Sequence, residues 1–110
     1  MNEKPIDELV AEKVMGWIKP PETSILKSMW VETPVGTVHR ELPKFSTSIQ
    51  DAWLVVEKLG YDVKVTKNNV LKPKYQVHVF VPDDVKVVFA DTAPMAICIA
   101  ALKAVGEEWQ

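Results

Sequence analysis

Residues 92–106 read TAPMAICIAALKAVG, a stretch with Lys103 as its only charge, and they decide how the rest of the chain must be arranged. Thr92 offers a side-chain oxygen to the unpaired amides of a first helical turn. Pro94 falls in that turn, where no amide partner is needed, and Gly106 can take the left-handed conformation that ends a helix. Both boundaries are written locally, and between them lies a helix that must be buried on most of its surface. Ala96, Ala100 and Ala104 recur every four residues as a small-residue stripe, surrounded by Met95, Ile97, Ile99, Leu102 and Val105, so another element can approach closely along one line. Such a helix is the inside of a domain, not a reaction centre.

Three strands precede it. Tyr61, Val63 and Val65 alternate with Asp62, Lys64 and Thr66. Tyr75, Val77, Val79 and Val81 alternate with Gln76, His78 and Phe80, and Val85, Val87 and Phe89 alternate with Lys86, Val88 and Ala90. The first set in each strand is expected to form one continuous apolar face. The connections Lys67-Asn68-Asn69 and Pro82-Asp83-Asp84 carry turn residues that suit antiparallel hairpins. The second face mixes Phe80, Val88 and Ala90 with Lys64, His78 and Lys86, so something is expected to cover part of it.

Before the strands, Ser46 or Thr47 can cap a helix, with Gln50 as a capping-box partner and Phe45 packing on Ile49. Ile49, Ala52, Trp53, Val56 and Leu59 form its apolar stripe and Gly60 ends it, so Trp53 is expected to be buried with the alanine stripe. Nearer the N-terminus, Ile6, Leu9, Val10, Val14 and Trp17 fall at helical spacing, with Pro5 at the first position and Gly16 and Lys19-Pro20-Pro21 as the stop. Residues 20–45 lose the pattern. A short edge strand is expected across Met29–Glu32 and another across Thr37–Arg40, the remainder wrapping over the sheet, with Trp30 as a lid on its mixed face.

The chain has 110 residues, 47% hydrophobic and 25% charged, with a net charge of −2. This is one globular domain, 1–110, and the charge argues against a dedicated nucleic-acid binder. Cys98 is the only cysteine, which excludes an internal disulfide and suits a reducing cytoplasm. The opening MNEKPIDELV lacks the basic-then-apolar pattern of an export signal, and the longest apolar run falls short of the roughly 20 residues of a membrane span. The expected architecture is α+β: an α/β/α sandwich with a small antiparallel sheet of three or four strands and three helices.

Two long segments carry a resemblance. The helix Phe45-Ser46-Thr47 through Asp51-Ala52-Trp53-Leu54-Val55-Val56-Glu57-Lys58-Leu59, and the later Ala90-Asp91-Thr92-Ala93-Pro94-Met95-Ala96-Ile97-Cys98 with Ala100-Ala101-Leu102-Lys103-Ala104, resemble the phage ABA sandwich domain family. The leading Val10-Ala11-Glu12-Lys13-Val14-Met15-Gly16-Trp17 fits it too. The resemblance implies a small protein of phages or prophages, largely of Firmicutes, with helices on both sides of an antiparallel sheet, no assigned activity and no catalytic residues to carry over.

The residues that bear chemistry are few. Cys98 sits mid-helix among isoleucines and alanines, where a thiol is an inert hydrophobe. His39 and His78 give no zinc spacing with it, Asp83-Asp84 read as turn residues, and the four glycines form no phosphate loop. No cofactor, metal or catalytic group is expected. Trp30, His39 and Arg40, in the dense polar cluster His39-Arg40-Glu41, are candidate partner-binding residues. Lys64, Lys67, Lys72 and Lys74 form a basic hairpin across 63–81 with Tyr75 and Phe80 nearby, a mixture that can grip single-stranded nucleic acid, although edge lysines also guard sheets against aggregation. The expected role is a non-enzymatic phage or prophage accessory protein in the host cytoplasm, away from membranes, binding a protein partner or itself. The alternative is a nucleic-acid-associated protein that uses the basic hairpin.

Overall fold

Helix α3, Ala93–Ala104, occupies the centre of the computed structural model, which describes residues 5–19, 29–32, 36–39, 41–70, 72 and 74–107. Its ends form as the sequence dictates. The Met95 amide donates to Thr92 Oγ1 at 3.4 Å. At the other end Gly106 takes φ 86°, and the Glu107 and Gly106 amides donate back to the Leu102 and Lys103 carbonyls, the paired closure that a left-handed residue after a helix permits. Ala96, Ile97, Cys98, Ala100, Ala101 and Leu102 are buried. At about 100° per residue they cover about two thirds of the circumference, while Ala104 at the end of the stripe is half-buried. Strands lie against one side of α3, and the other helices pack on the rest.

The strands form two antiparallel sheets. β1 (Trp30–Glu32) and β2 (Thr37–His39) pair as a small sheet of their own, and β3 (Asp62–Lys67), β4 (Tyr75–Val81) and β5 (Asp84–Ala90) form a three-stranded sheet in that order. The odd residues of β3 and β4 lie together toward the core as expected, with Val63 opposite Val79 and Val65 opposite Val77. In β5 the expectation fails by one residue. Pro82 and Asp83 make a two-residue turn closed by Val81 opposite Asp84, so odd positions of β4 face even positions of β5. Val88, opposite Val77, is buried, whereas Val85 and Phe89 point away from the core and are exposed. A one-residue slip moves every side chain of a strand to the other face, and loop length sets it here. Asp83 adopts φ 66°, which with the ring-locked φ of Pro82 is a type II arrangement.

Helix α1, Ile6–Leu9, continues as a π-helical turn over Val10–Val14. The widened turn has a packing reason. In an α-helix Val14 and Met15 would sit roughly 140° round from Leu9 and Val10; one extra residue per loop stacks these pairs on the same side, and all four are buried. Pro5 is the N-cap rather than the first helical residue, and Gly16, at φ 75°, ends the element before Trp17. Asp7, in the first turn, is half-buried. Its carboxylate accepts from the buried Ser46 amide at 2.9 Å.

Helix α2 is Ile49–Lys58, capped by Ser48 and not by Ser46 or Thr47. The Asp51 amide donates to Ser48 Oγ at 3.3 Å, and the Asp51 carboxylate accepts from the Lys44 amide at 2.8 Å, while the Ser48 amide donates to the Lys44 carbonyl, so the expected capping box is replaced by a tie from Asp51 back to Lys44. Phe45 is buried edge-on to Trp17 at 6.0 Å, while Ile49 is left exposed. Gly60 is absent from the positive-φ glycines; the helix simply runs into extended backbone at Leu59. The residues α2 buries are Ala52 and Val55, and Trp53 is 47% exposed, against the expected joint burial with the alanine stripe. α2 packs directly on α3, and at a close helix–helix approach small side chains take the contact line while an indole is displaced to its shoulder.

Candidate functional site

Two surfaces bring polar and aromatic side chains together. The first surrounds the small sheet. Trp30 and His39 are direct cross-strand partners. His39 also stacks on Trp17, ring centroids 4.5 Å apart and 3° from parallel, while its Nε2 meets Glu32 Oε1 at 2.9 Å. Lys19 Nζ lies 5.9 Å from the Trp30 ring centroid, and Ile18 bridges to Val31 through paired backbone bonds. Trp30 therefore belongs to a packed aromatic cluster with Trp17 and His39 and does not lid the three-stranded sheet. Arg40 lies outside the described residues, as does part of the 20–45 segment expected to wrap the sheet. Beside this cluster a cleft of about 650 Å³ is lined by Leu9, Glu12, Lys13, Trp17, Ile18, Lys19 and Glu107. Its two lysines and two acids, with Lys13 and Glu107 4.0 Å apart, select no single sign of charge.

The second surface is the outward face of β3–β5. The register lays it out in three rows: Asp62, Phe80 and Val85; Lys64, His78 and Val87; Thr66, Gln76 and Phe89. Phe80 is 47%, Phe89 52% and Val85 38% exposed. No described element packs on this face, and much of the 20–45 segment expected to wrap over the sheet lies outside the described residues. His78 stacks on Phe80 at 6.1 Å, and its Nε2 lies 3.3 Å from the Gln76 amide nitrogen. The β5 column is uncharged, whereas the β3 column holds Asp62 and Lys64. The sequence missed this platform because it assigned Val85, Val87 and Phe89 to the core; the two-residue turn was the signal that could have placed them.

The lysines of the basic hairpin fall in two places. Lys67 stands opposite Tyr75 at the last rung, the Asn68 amide donates to the Lys74 carbonyl at 2.6 Å, and Lys72 and Lys74 are exposed in the connection beside Val70, itself 90% exposed. Lys64 lies apart from them, on the outward face. Tyr75 lies with the core-facing residues. Cys98 is fully buried, and loss of hydration, with the nearby Asp7 charge, pushes its thiol far above its ordinary range. Asp84 is held below the usual carboxylate range by the Val85 amide and then by Lys86. Among the described residues no group of three or more His, Cys, Asp or Glu could hold a metal ion, and no helix is long and apolar enough to cross a membrane.

Among the described residues these features define a small α+β domain, three helices and antiparallel sheets, with a sealed thiol and one sheet face on which no described element packs. Residues 8–102 match the family model of the phage ABA sandwich domain, and the chain belongs to that family. A crystal structure of a phage protein from Bacillus cereus ATCC 14579 is similar over 100% of this chain and 95% of that one, at 48% identity and a TM-score of 0.80. No curated protein matches the chain.

Proposed function

We propose that this phage-family protein is a non-enzymatic accessory factor, working in the cytoplasm of a bacterial host, that acts by binding a protein through the outward face of β3–β5. The observation that carries this is the exposure of Phe80, Phe89 and Val85 on one sheet face. Contiguous apolar surface left bare on a folded domain marks an interaction site, and a two-residue turn fixes the register that puts it there. The only thiol is sealed inside α3, which disfavours the enzymatic use of Cys98.

The alternative, a nucleic-acid-associated protein, draws on Lys64 beside His78 and the phenylalanines, with Lys67, Lys72 and Lys74 at the hairpin end. Aromatic platforms flanked by cations hold splayed bases. Asp62 in the same face and the net charge of −2 weigh against it. A photo-reactive benzoylphenylalanine in place of Phe89, expressed in a bacterial host, separates the two. A discrete protein adduct is expected, of the chain with itself or with another protein, and none from the same residue placed at Lys58 on the polar side of α2. Adducts confined to nucleic acid would favour the alternative.

A further inference from the structure

We propose that β5 pairs with β5 of a second copy, antiparallel and edge to edge, so that the two three-stranded sheets become one. This rests on the open face being a protein-binding surface and names the partner that lies beside it, along the β5 edge. The argument begins in the turn. Val81 opposite Asp84 closes the hairpin, so the hydrogen-bonded rungs to β4 fall on Asp84, Lys86, Val88 and Ala90 and the alternate residues turn their backbone groups outward. Val85 and Phe89, exposed, and Val87, half-buried, thus present apolar side chains on the open face and amides and carbonyls along the free edge. Among the described residues no strand lies beyond β5. The Val85 amide is instead met by its neighbour's carboxylate, Asp84 Oδ1, at 2.7 Å.

The two edges of the sheet are not equivalent. β3 carries Asp62, Lys64 and Lys67, the charges that keep a strand edge from recruiting another chain. β5 carries no charge on its outward column, and Lys86, on the other face, is held by Asp84 at 3.3 Å. A two-fold axis at Val87 sets Val87 against Val87 of the second copy and Val85 against its Phe89. That register matches outward backbone groups with outward backbone groups along the strand and places only apolar pairs on the open face. Centring on Lys86 would instead oppose two lysines. The pattern valine, valine, phenylalanine is therefore complementary to its own reverse, which is what a symmetric dimer requires.

The test uses the whole chain and position 87, which faces itself. Wild type should sediment at twice the mass of one chain in the micromolar range. Val87→Lys and Val87→Glu should each lose the dimer, and mixing them in equal amounts should restore it. Because Val87 is half-buried, a size-conserving variant guards against misfolding. Val87→Cys should form an intermolecular disulfide under mild oxidation, since hydrogen-bonded partners about 5.5 Å apart at Cα lie within disulfide reach, while Lys58→Cys should not. A dimer that persists in both charged variants overturns the β5 pairing and leaves the protein-binding role standing. So does a monomer whose Phe89 photo-adduct is another protein. A monomer whose only adducts are oligonucleotides overturns both.

Discussion

Trp17 and Trp53 are the same side chain in opposite circumstances. Trp17 is buried between His39 and Phe45, whereas Trp53 stands half out of the α2–α3 contact. Trp17→Ala should cost about 3–5 kcal/mol and Trp53→Ala no more than about 1 kcal/mol, read as shifts in denaturation midpoint. Helical spacing put both on an apolar face, yet Trp17 lies beyond Gly16, past the end of the first helical element, and Trp53 is left exposed, because spacing does not contain the distance to the opposing helix that decides whether an indole fits. Ala100 marks the tight place: it is fully buried on α3, so Ala100→Leu should overpack the contact and cost roughly 1–3 kcal/mol, and an unchanged midpoint would show that α3 is not closely approached there. Two residues away, Cys98 should resist a thiol reagent in the native protein, with labelling accelerating in denaturant, because the thiolate has no hydrated place to form. Rapid native labelling would mean that α3 is not sealed.

Glycines punctuate the elements with different force. Gly106 sits at φ 86° with nothing within 4 Å of an added Cβ, so Gly106→Ala should cost on the order of 1 kcal/mol through backbone strain alone. Gly60 also has open space but no positive φ, and Gly60→Ala should be neutral or stabilise by about 0.4–1 kcal/mol by narrowing the unfolded ensemble. Paired thermal melts would show the difference in sign; equal losses would refute it. Sequence spacing marks glycines at both helix ends and does not distinguish them, because a helix can also stop by running into extended backbone. The elements themselves were largely legible: β1 and β2 fall within the expected Met29–Glu32 and Thr37–Arg40, and α3 closes on the predicted residues. The α2 cap was displaced because several capping residues stand in a row from Ser46 to Ser48, and which of them caps depends on Asp51 reaching back to Lys44. The π-turn in α1 was illegible, since apolar residues spaced for an α-helix also suit a locally wider one.

For the whole molecule, charge and topology lead to different measurements. Lys72 and Lys74 project from the connection, but the chain is net acidic, so single-stranded DNA should show no measurable binding at physiological salt. A complex that weakens with salt, and whose log–log slope falls by about 1.4 when Lys72→Gln and Lys74→Gln are combined, would make the lysines phosphate contacts. The fold class was legible because alternation and helix boundaries are local signals. The open face was not, because it emerges only when strands are set in register. Topology has a further consequence. The strands of the three-stranded sheet and both earlier helices pack on α3, yet α3 is the last described element in chain order, so during synthesis that sheet and those helices emerge without the surface they are shaped for. A chain stalled after Asp91 should remain open to protease. Folding of this domain should wait on its final helix, leaving the hairpins in the care of the ribosome and its chaperones until Ala93–Ala104 arrives.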